Sequence, residues 1–461
     1  MGGIQFVFLW TDVLIYLLVI SIGGFVFHTL KHEHLKAPWR LVFQRRLGMA
    51  AFLILMSYVC IGLLDSVHYK KADDPEIISL LDDLVGGLRT REEKTYSAPF
   101  ATHLFSKETV EYQDGTKARD YPRLKYGGAH LLDPQRDKWT DIMQRTLQAA
   151  LIALSVWILS IAVLVFWLSW RKQQAWKSTI AELWRGQDGA LPWKVILSTL
   201  GLLLLLLVLV IQLSPYYHIL GTDKVGENVL YQSLKSIRTG LVIGTLTTLF
   251  MLPFAVTLGI MAGYFRGWVD DVIQYLYTTL NSIPGVLLIA AAVLMLQVYM
   301  SNHSEQFGDV ISRADARLLF LCLILGVTSW TGLCRLLRGE AMKISQVEYI
   351  QASHAFGTRH LRVISRHILP NVMHIVLISV VLDFSGLVLA EAVLSYVGVG
   401  VDPTTNSWGN MINSARLEMA REPMVWWSLI AAFSFMFVLV LAANLFSDAV
   451  RDAFDPRIQR K

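Results

Sequence analysis

Two carboxylates attract attention because they lie where carboxylates are costly. Asp383 and Glu391 fall inside the apolar run Asn371–Val397. Ionisable groups within a bilayer mark solute paths, proton relays or internally bonded positions. The pair is eight residues apart, on roughly the same helix face. Asp383 is nearer mid-span and is a candidate for lining a path or for a satisfied packing role. Glu391, nearer the helix end, reads equally as a hydrogen-bonded structural acid. Pro253, in the middle of another apolar run, and Pro284, at the head of a third, are further path candidates, since a proline bends or starts a membrane helix.

Other chemistry is missing. Gly221-Thr-Asp-Lys-Val-Gly226 has half the spacing of a phosphate loop, but Glu227 and Asn228 replace the Lys-Ser/Thr pair that would reach phosphate and magnesium. Neither His-Glu-x-x-His nor Gly-x-Ser-x-Gly occurs. His28, His32 and His34 invite a metal reading, yet without a fixed scaffold a wet, basic loop is the better one. Cys60, Cys322 and Cys334 lie in or beside apolar runs with no Cys-x-x-Cys pair, and read as core. The chain is therefore expected to be no enzyme and to bind no metal or cofactor. Its energy must come from another subunit or from an ion gradient.

The elements around these residues are membrane helices. Hydrophobic residues make up 54% and charged ones 17%, against about 25% charged in a soluble domain. About nine apolar runs of roughly 20 residues recur. They are Phe6–Phe27, Leu47–Leu64, Met143–Trp170, Trp193–Leu213, Ile237–Tyr264, one from Ser282-Ile283-Pro284-Gly285, Leu318–Leu337, Asn371–Val397 and Val425–Phe446. The first lacks a basic flank and a cleavage site, so it reads as a retained membrane helix. The short basic loops are Lys31 to Arg46, Arg171 to Lys194, and Arg338 to Leu369. All belong inside by the positive-inside rule. This puts the N-terminus outside and the C-terminal tail, SDAVRDAFDPRIQRK, in the cytoplasm. A short turn, FRGWVDD, joins the fifth and sixth runs. The net charge of +5 follows from the basic loops, and no basic patch interleaved with aromatics points to nucleic acid.

Residues 65–141 form an external segment with turn signals at Asp114-Gly115 and Gly127-Gly128 and a strand-like run Thr109–Tyr112. It reads as a small α+β cap or an irregular insert. The expected division is thus helices 1–2 over 1–64, the insert over 65–141, a third helix with its basic loop over 142–192, and a six-helix core over 193–461. In the fifth run, Gly240-x-x-x-Gly244 and Gly259-x-x-x-Gly263 let helices approach closely.

Within the core, the loop 340–370 stands apart. Its stretch YIQASHAFGTRHLRVISRHILP reads as two short amphipathic helices broken at Gly357. Val347, Ile350 and His354 share one face; Leu361, Ile364 and Ile368 share another. Pro370 stands where the next helix begins. Such a hairpin at a membrane surface is a docking element for another protein.

From His218 onward the chain resembles the second permease subunit of the dipeptide/oligopeptide ABC importer family. HILGTD (His218–Asp223) is similar to the family's HPLGTD, though KVGENVLYQ has diverged after it. GIMAGYFRGWVDD, NSIPGVLL, EAVLSYVGVGVDPTTNSWGNMI and NLFSDAVRDAFDPR follow in the family order. The hairpin resembles the family's EAA loop, with Ala352, Gly357, His367 and Pro370 at matching positions and Gln351 where the family has Glu. The resemblance implies an all-α polytopic fold: a six-helix type I importer permease core, here extended by about three N-terminal helices and the external insert. It implies a non-catalytic subunit of the bacterial inner membrane. The partners would be a homologous permease, two ATPases carrying ATP and magnesium, and an external solute-binding protein. Peptides would be the cargo, with nickel chelates, glutathione, opines or peptide antibiotics as alternatives. Coupling would run through Tyr349, Gln351, Ala352, Gly357, Leu361, His367 and Pro370. Two contrasting readings remain: a proton-coupled carrier using Asp383, and a sensor built on 65–141.

Overall fold

The computed structural model describes residues 5–71, 74–111, 117–173, 175–185, 191–303, 305 and 309–454. Asp114-Gly115, Tyr112, the His34 side chain and the tail beyond Phe454 lie outside that description. Helices dominate, because in hydrocarbon only internal bonding satisfies every backbone group. Among the described residues, eight helices are long and apolar enough to cross a membrane: Trp10–Lys31, Arg46–Asp65, Pro134–Lys172, Trp193–Leu213, Val229–Phe265, Gly285–Asn302, His360–Tyr396 and Trp427–Phe454.

The ninth expected run, Leu318–Leu337, is divided between the helices Val310–Ser329 and Thr331–Ile344, which meet at Trp330. The first is 20 residues long, but its opening turns carry Arg313, Asp315 and Arg317. Two of these charges are bonded internally. The Thr11 N–H donates to Asp315 at 3.3 Å, with the Thr11 hydroxyl on the same carboxylate, and Arg317 pairs with Asp402 at 3.5 Å. With this helix counted, six elements form the core and three precede it.

Two boundaries differ from expectation. The fifth span starts at Val229, not Ile237, because Asn228 Oδ1 accepts the Leu230 N–H at 3.0 Å and satisfies an early orphan donor. The segment after Phe265 is not a short turn; it is the 16-residue helix Gly267–Ser282, with Ile273 and Tyr277 buried on one side. The glycine expectation holds at Gly259 and Gly263. A Cβ on Gly259 would lie 2.8 Å from the Cys334 carbonyl oxygen, and one on Gly263 would overlap the Arg338 carbonyl.

The chain forms two compact units. One contains Arg40–Arg238 with Asn406–Ala442; the other contains Val7–Trp39, Thr239–Thr405 and the chain from Ala443. This grouping cuts across the sequence division, since the first helix belongs with the later core helices.

In the first unit the insert is an α+β cap with long irregular stretches. It carries the antiparallel hairpins His68–Lys71/Asp74–Ser79 and Glu108–Glu111/Lys117–Asp120 and the short helices Leu80–Leu84 and Gly86–Arg89. Polar bonds seat it on the HILGTD segment. Glu93 accepts N–H bonds from Lys125 (2.9 Å), Tyr126 (2.8 Å) and Gly127 (3.1 Å), and its carboxylate lies 3.2 Å from His218 Nε2. Burial alone would raise the Glu93 carboxyl, but the His218 bond and the three backbone donors hold it at about 2. Lys235 bonds both Asp65 (2.6 Å) and Asp82 (3.0 Å), tying the helix Arg46–Asp65 and the insert to the start of Val229–Phe265. The buried Trp427 indole closes the seat by donating to the Thr222 carbonyl at 2.9 Å.

Candidate functional site: a hairpin seated on three helices

The hairpin lies in the second unit. Its first arm is the helix Glu348–Ala355. Gly357 has φ +73°, the left-handed turn that the sequence anticipated, with open space where a Cβ would go. The second arm is not a separate helix. His360–Val363 passes through a π-helical turn, Ile364–Ile368, directly into Leu369–Tyr396. Pro370, expected at a helix start, instead follows the π turn inside this continuous helix, where its missing N–H removes one bond from the ladder.

The π turn changes which residues face inward. Widening the turn aligns residues five apart, so Val363 and Ile368 are fully buried. Leu361, expected on the apolar face, is 80% exposed and Ile364 is half-buried. In the first arm only Ile350 of the expected trio is buried; Val347 and His354 are exposed. Ile350, Val363, Ile368 and Val372 join one apolar cluster with Ala262, Ile273, Cys334, Leu337 and Ala341. Full burial of such side chains contributes about 2 kcal/mol each. The two arms are therefore fixed to the helices Val229–Phe265, Gly267–Ser282 and Thr331–Ile344.

Polar contacts complete the seat. The Tyr264 hydroxyl lies 3.0 Å from His354 Nε2 and 2.8 Å from His360 Nδ1, so one side chain bridges the two sides of the Gly357 turn. Arg266 has φ +54° and donates to Ser345 Oγ (3.0 Å) and the Met342 carbonyl (3.2 Å) at the approach to the first arm. Arg338 grips Asp270 with two bonds of 2.6 and 2.7 Å. This contact holds the Asp270 carboxyl below the usual carboxylate range despite its burial. Tyr349 accepts from Asn371 Nδ2 at 3.1 Å and meets His367 edge-on, with ring centroids 6.0 Å apart. Gln351 donates to the Gln346 carbonyl at 3.1 Å, a use that needs no charge.

What the seat leaves outside includes two large apolar side chains among polar ones such as Gln351, Arg359 and Arg362. Phe356, immediately before the glycine, is 89% exposed and stands with Leu361 on either side of the turn; Ala352 is also exposed. Sequence reading did not single out Phe356, Tyr264 or Arg266. The only available signal was an aromatic beside a turn glycine and the unexplained GYFRGW run.

The path candidates are dispersed. Glu391 is buried and accepts from Ser395 Oγ at 2.7 Å, one turn on, as a structural acid would. Asp383 is half-buried and bonds no other described residue. Pro253 lies exposed inside its helix, where its missing N–H removes the bond that the Leu249 carbonyl would accept, and its own carbonyl accepts from Thr257 Oγ1. Pro284 precedes the helix Gly285–Asn302 and is exposed. Among the described residues no cluster of three metal-ligating side chains occurs.

A family model described as the binding-protein-dependent transport system inner membrane component matches residues 255–460. The glutathione transport system permease protein of Pectobacterium atrosepticum is 30% identical over 244 residues, covering 52% of this chain and 73% of that one. The oligopeptide transport system permease protein of Mycobacterium tuberculosis is 29% identical over 239 residues, covering 52% and 76%. The dipeptide transport system permease protein of Bacillus subtilis is 29% identical over 243 residues, covering 53% and 70%.

Proposed function

The chain belongs to the family of binding-protein-dependent inner-membrane transport components, and from that premise we propose that it is one half of a heterodimeric, ATP-driven importer of short peptides. It pairs with a homologous permease subunit and receives cargo from an external solute-binding protein. Two cytoplasmic ATPase subunits, which hold ATP and magnesium, drive it through the loop 340–370. The observation that carries this reading is the hairpin: two exposed apolar side chains, Phe356 and Leu361, on arms anchored by fully buried side chains. A rigid body of this kind transmits displacement, whereas a loose polar loop would absorb it. Relatives named for glutathione, oligopeptide and dipeptide transport support a peptide cargo. The basic loops support a cytoplasmic hairpin and C-terminus with an external N-terminus and insert. Tyr349, Gln351, Ala352, His367 and Pro370 shape the docking face around Gly357.

Gly357→Val tests the coupling. The variant must strain a left-handed turn, at about 1–2 kcal/mol, in an otherwise open position. Expected are a folded permease, weakened ATPase binding and reduced ATP-dependent peptide uptake in proteoliposomes. Intact binding and uptake would remove the coupling role.

A second reading rests on Asp383, a membrane-helix carboxylate that bonds no other described residue. In that reading the carboxylate carries protons and the chain transports alone. Peptide accumulation driven by a proton gradient without ATPase subunits would favour it.

A further inference from the structure

The helix Trp176–Arg185 lies between two membrane spans, Pro134–Lys172 and Trp193–Leu213, and nothing in the transport reading uses it. One side is anchored. Thr179 is buried and accepts from Ser169 Oγ at 3.1 Å, and Leu183, one turn on, is buried too. Trp176 and Ile180 share that face at helical spacing and form its open, apolar edge, 62% and 41% exposed. The last turns of Pro134–Lys172 also expose Phe166, Trp167 and Trp170.

Cations interleave with these aromatics. The Arg171 guanidinium lies 5.4 Å from the Trp167 ring centre, and the Lys177 ammonium 6.0 Å from that of Trp176. Residues 171–194 carry five basic and two acidic side chains, Glu182 and Asp188. Tryptophan prefers the membrane–water boundary, and basic side chains there meet lipid phosphates. An amphipathic helix lying between two spans in the chain is kept near that boundary by its short connections to them.

We propose that Trp176–Arg185, with Arg171 and Lys177, is a docking surface for the headgroups of anionic phospholipids. The surface commits to a bilayer source, because exposed tryptophans and basic side chains stand together on and beside a helix between two membrane spans. Trp176 and Ile180 enter the headgroup–acyl boundary, while Arg171 and Lys177 neutralise phosphodiester groups. The proposal is independent of cargo, of ATPase coupling and of which side of the membrane the loop occupies.

The full chain in nanodiscs tests it. Trypsin cleavage after Arg171 and Lys177 is expected to slow several-fold when a phosphatidylcholine bilayer is given 30% phosphatidylglycerol (both compositions roughly matched in thickness). High salt should reverse the protection. Equal rates in the two bilayers would overturn the proposal. Protection in the neutral bilayer on adding inorganic phosphate would also overturn it, by assigning a free-anion site. The double variant R171Q/K177Q should retain about 25-fold less phosphatidylglycerol on detergent washing, from about fivefold per basic side chain. K177R should retain it as the native chain does. Unchanged retention in the double variant would contradict the assignment, and the protease experiment on the native chain stands if that variant does not fold.

Discussion

Around Glu93 one carboxylate takes three backbone N–H groups and a histidine, and around Lys235 one ammonium holds two aspartates. Around Ile350 the interior is methyl against methyl, with Val363, Ile368 and Ala341 also at zero exposure. The insert is thus fastened by directional polar bonds and the hairpin by volume. The insert buries apolar side chains of its own, Ile78, Leu81, Leu104 and Leu124 among them, but its seat on the HILGTD segment is made by satisfied buried charges. The hairpin adjoins a large helical core and borrows it. Polar seats fix one geometry and are sensitive to pH; apolar seats tolerate changes of ionisation and fail when volume or charge is wrong.

The largest contrast should come from placing a charge in each seat. Ile350→Asp buries an unpaired carboxylate in the apolar cluster, at a cost on the order of 3–5 kcal/mol. Thermal unfolding in detergent should show a collapse of Tm or no folded protein, whereas Ile350→Val should cost about 1 kcal/mol. A tolerated aspartate would show that the cluster is not what holds the hairpin.

Next comes the pH dependence of the insert. The Glu93 carboxyl is lowered from 4.5 to about 2 in the folded chain. Its contribution, on the order of 3 kcal/mol, is therefore complete above about 4.5 and is lost as pH falls towards 2. Glu93→Gln should remove it, flattening the acid limb of stability between those values while leaving the hairpin seat intact. An unchanged acid limb would mean that the bonds to Glu93 carry no net stability.

A smaller effect is expected at Tyr264, whose hydroxyl joins His354 and His360. Tyr264→Phe should cost about 1 kcal/mol or less, since the bonds are solvent-accessible. Its mark should be functional: ATPase subunits still bound, but less uptake per ATP hydrolysed in proteoliposomes. Unaltered coupling would reduce Tyr264 to a surface contact.

Much of this was legible beforehand where a residue type answers to a local demand. Gly357 marked a left-handed turn, and Gly259 and Gly263 a close helix crossing, while Glu391 read equally as a path residue or a structural acid and bonds Ser395. The apolar runs located the helices because hydrocarbon length fixes span length. Less legible was whatever depended on partners far along the chain. Tyr264 meets His354 and His360 across 90 and 96 residues, and Glu93 meets His218 across 125; neither separation leaves a periodic signal. The π turn was invisible for a different reason. A 3.6-residue period assigned Leu361 to the buried face, and one extra residue in the turn moved burial to Val363 and Ile368. That shift leaves Leu361 exposed, as Phe356 is on the other side of the Gly357 turn.

The proposed role of these two side chains is the central claim, and the variant F356A/L361A tests it most directly. Both side chains are exposed, so truncation should leave stability within about 0.5 kcal/mol of native. Affinity for the partner ATPase subunits, titrated against the purified permease complex, is predicted to fall at least about tenfold, as for two apolar anchors lost from an interface. Native affinity together with native ATP-driven peptide uptake would contradict the account.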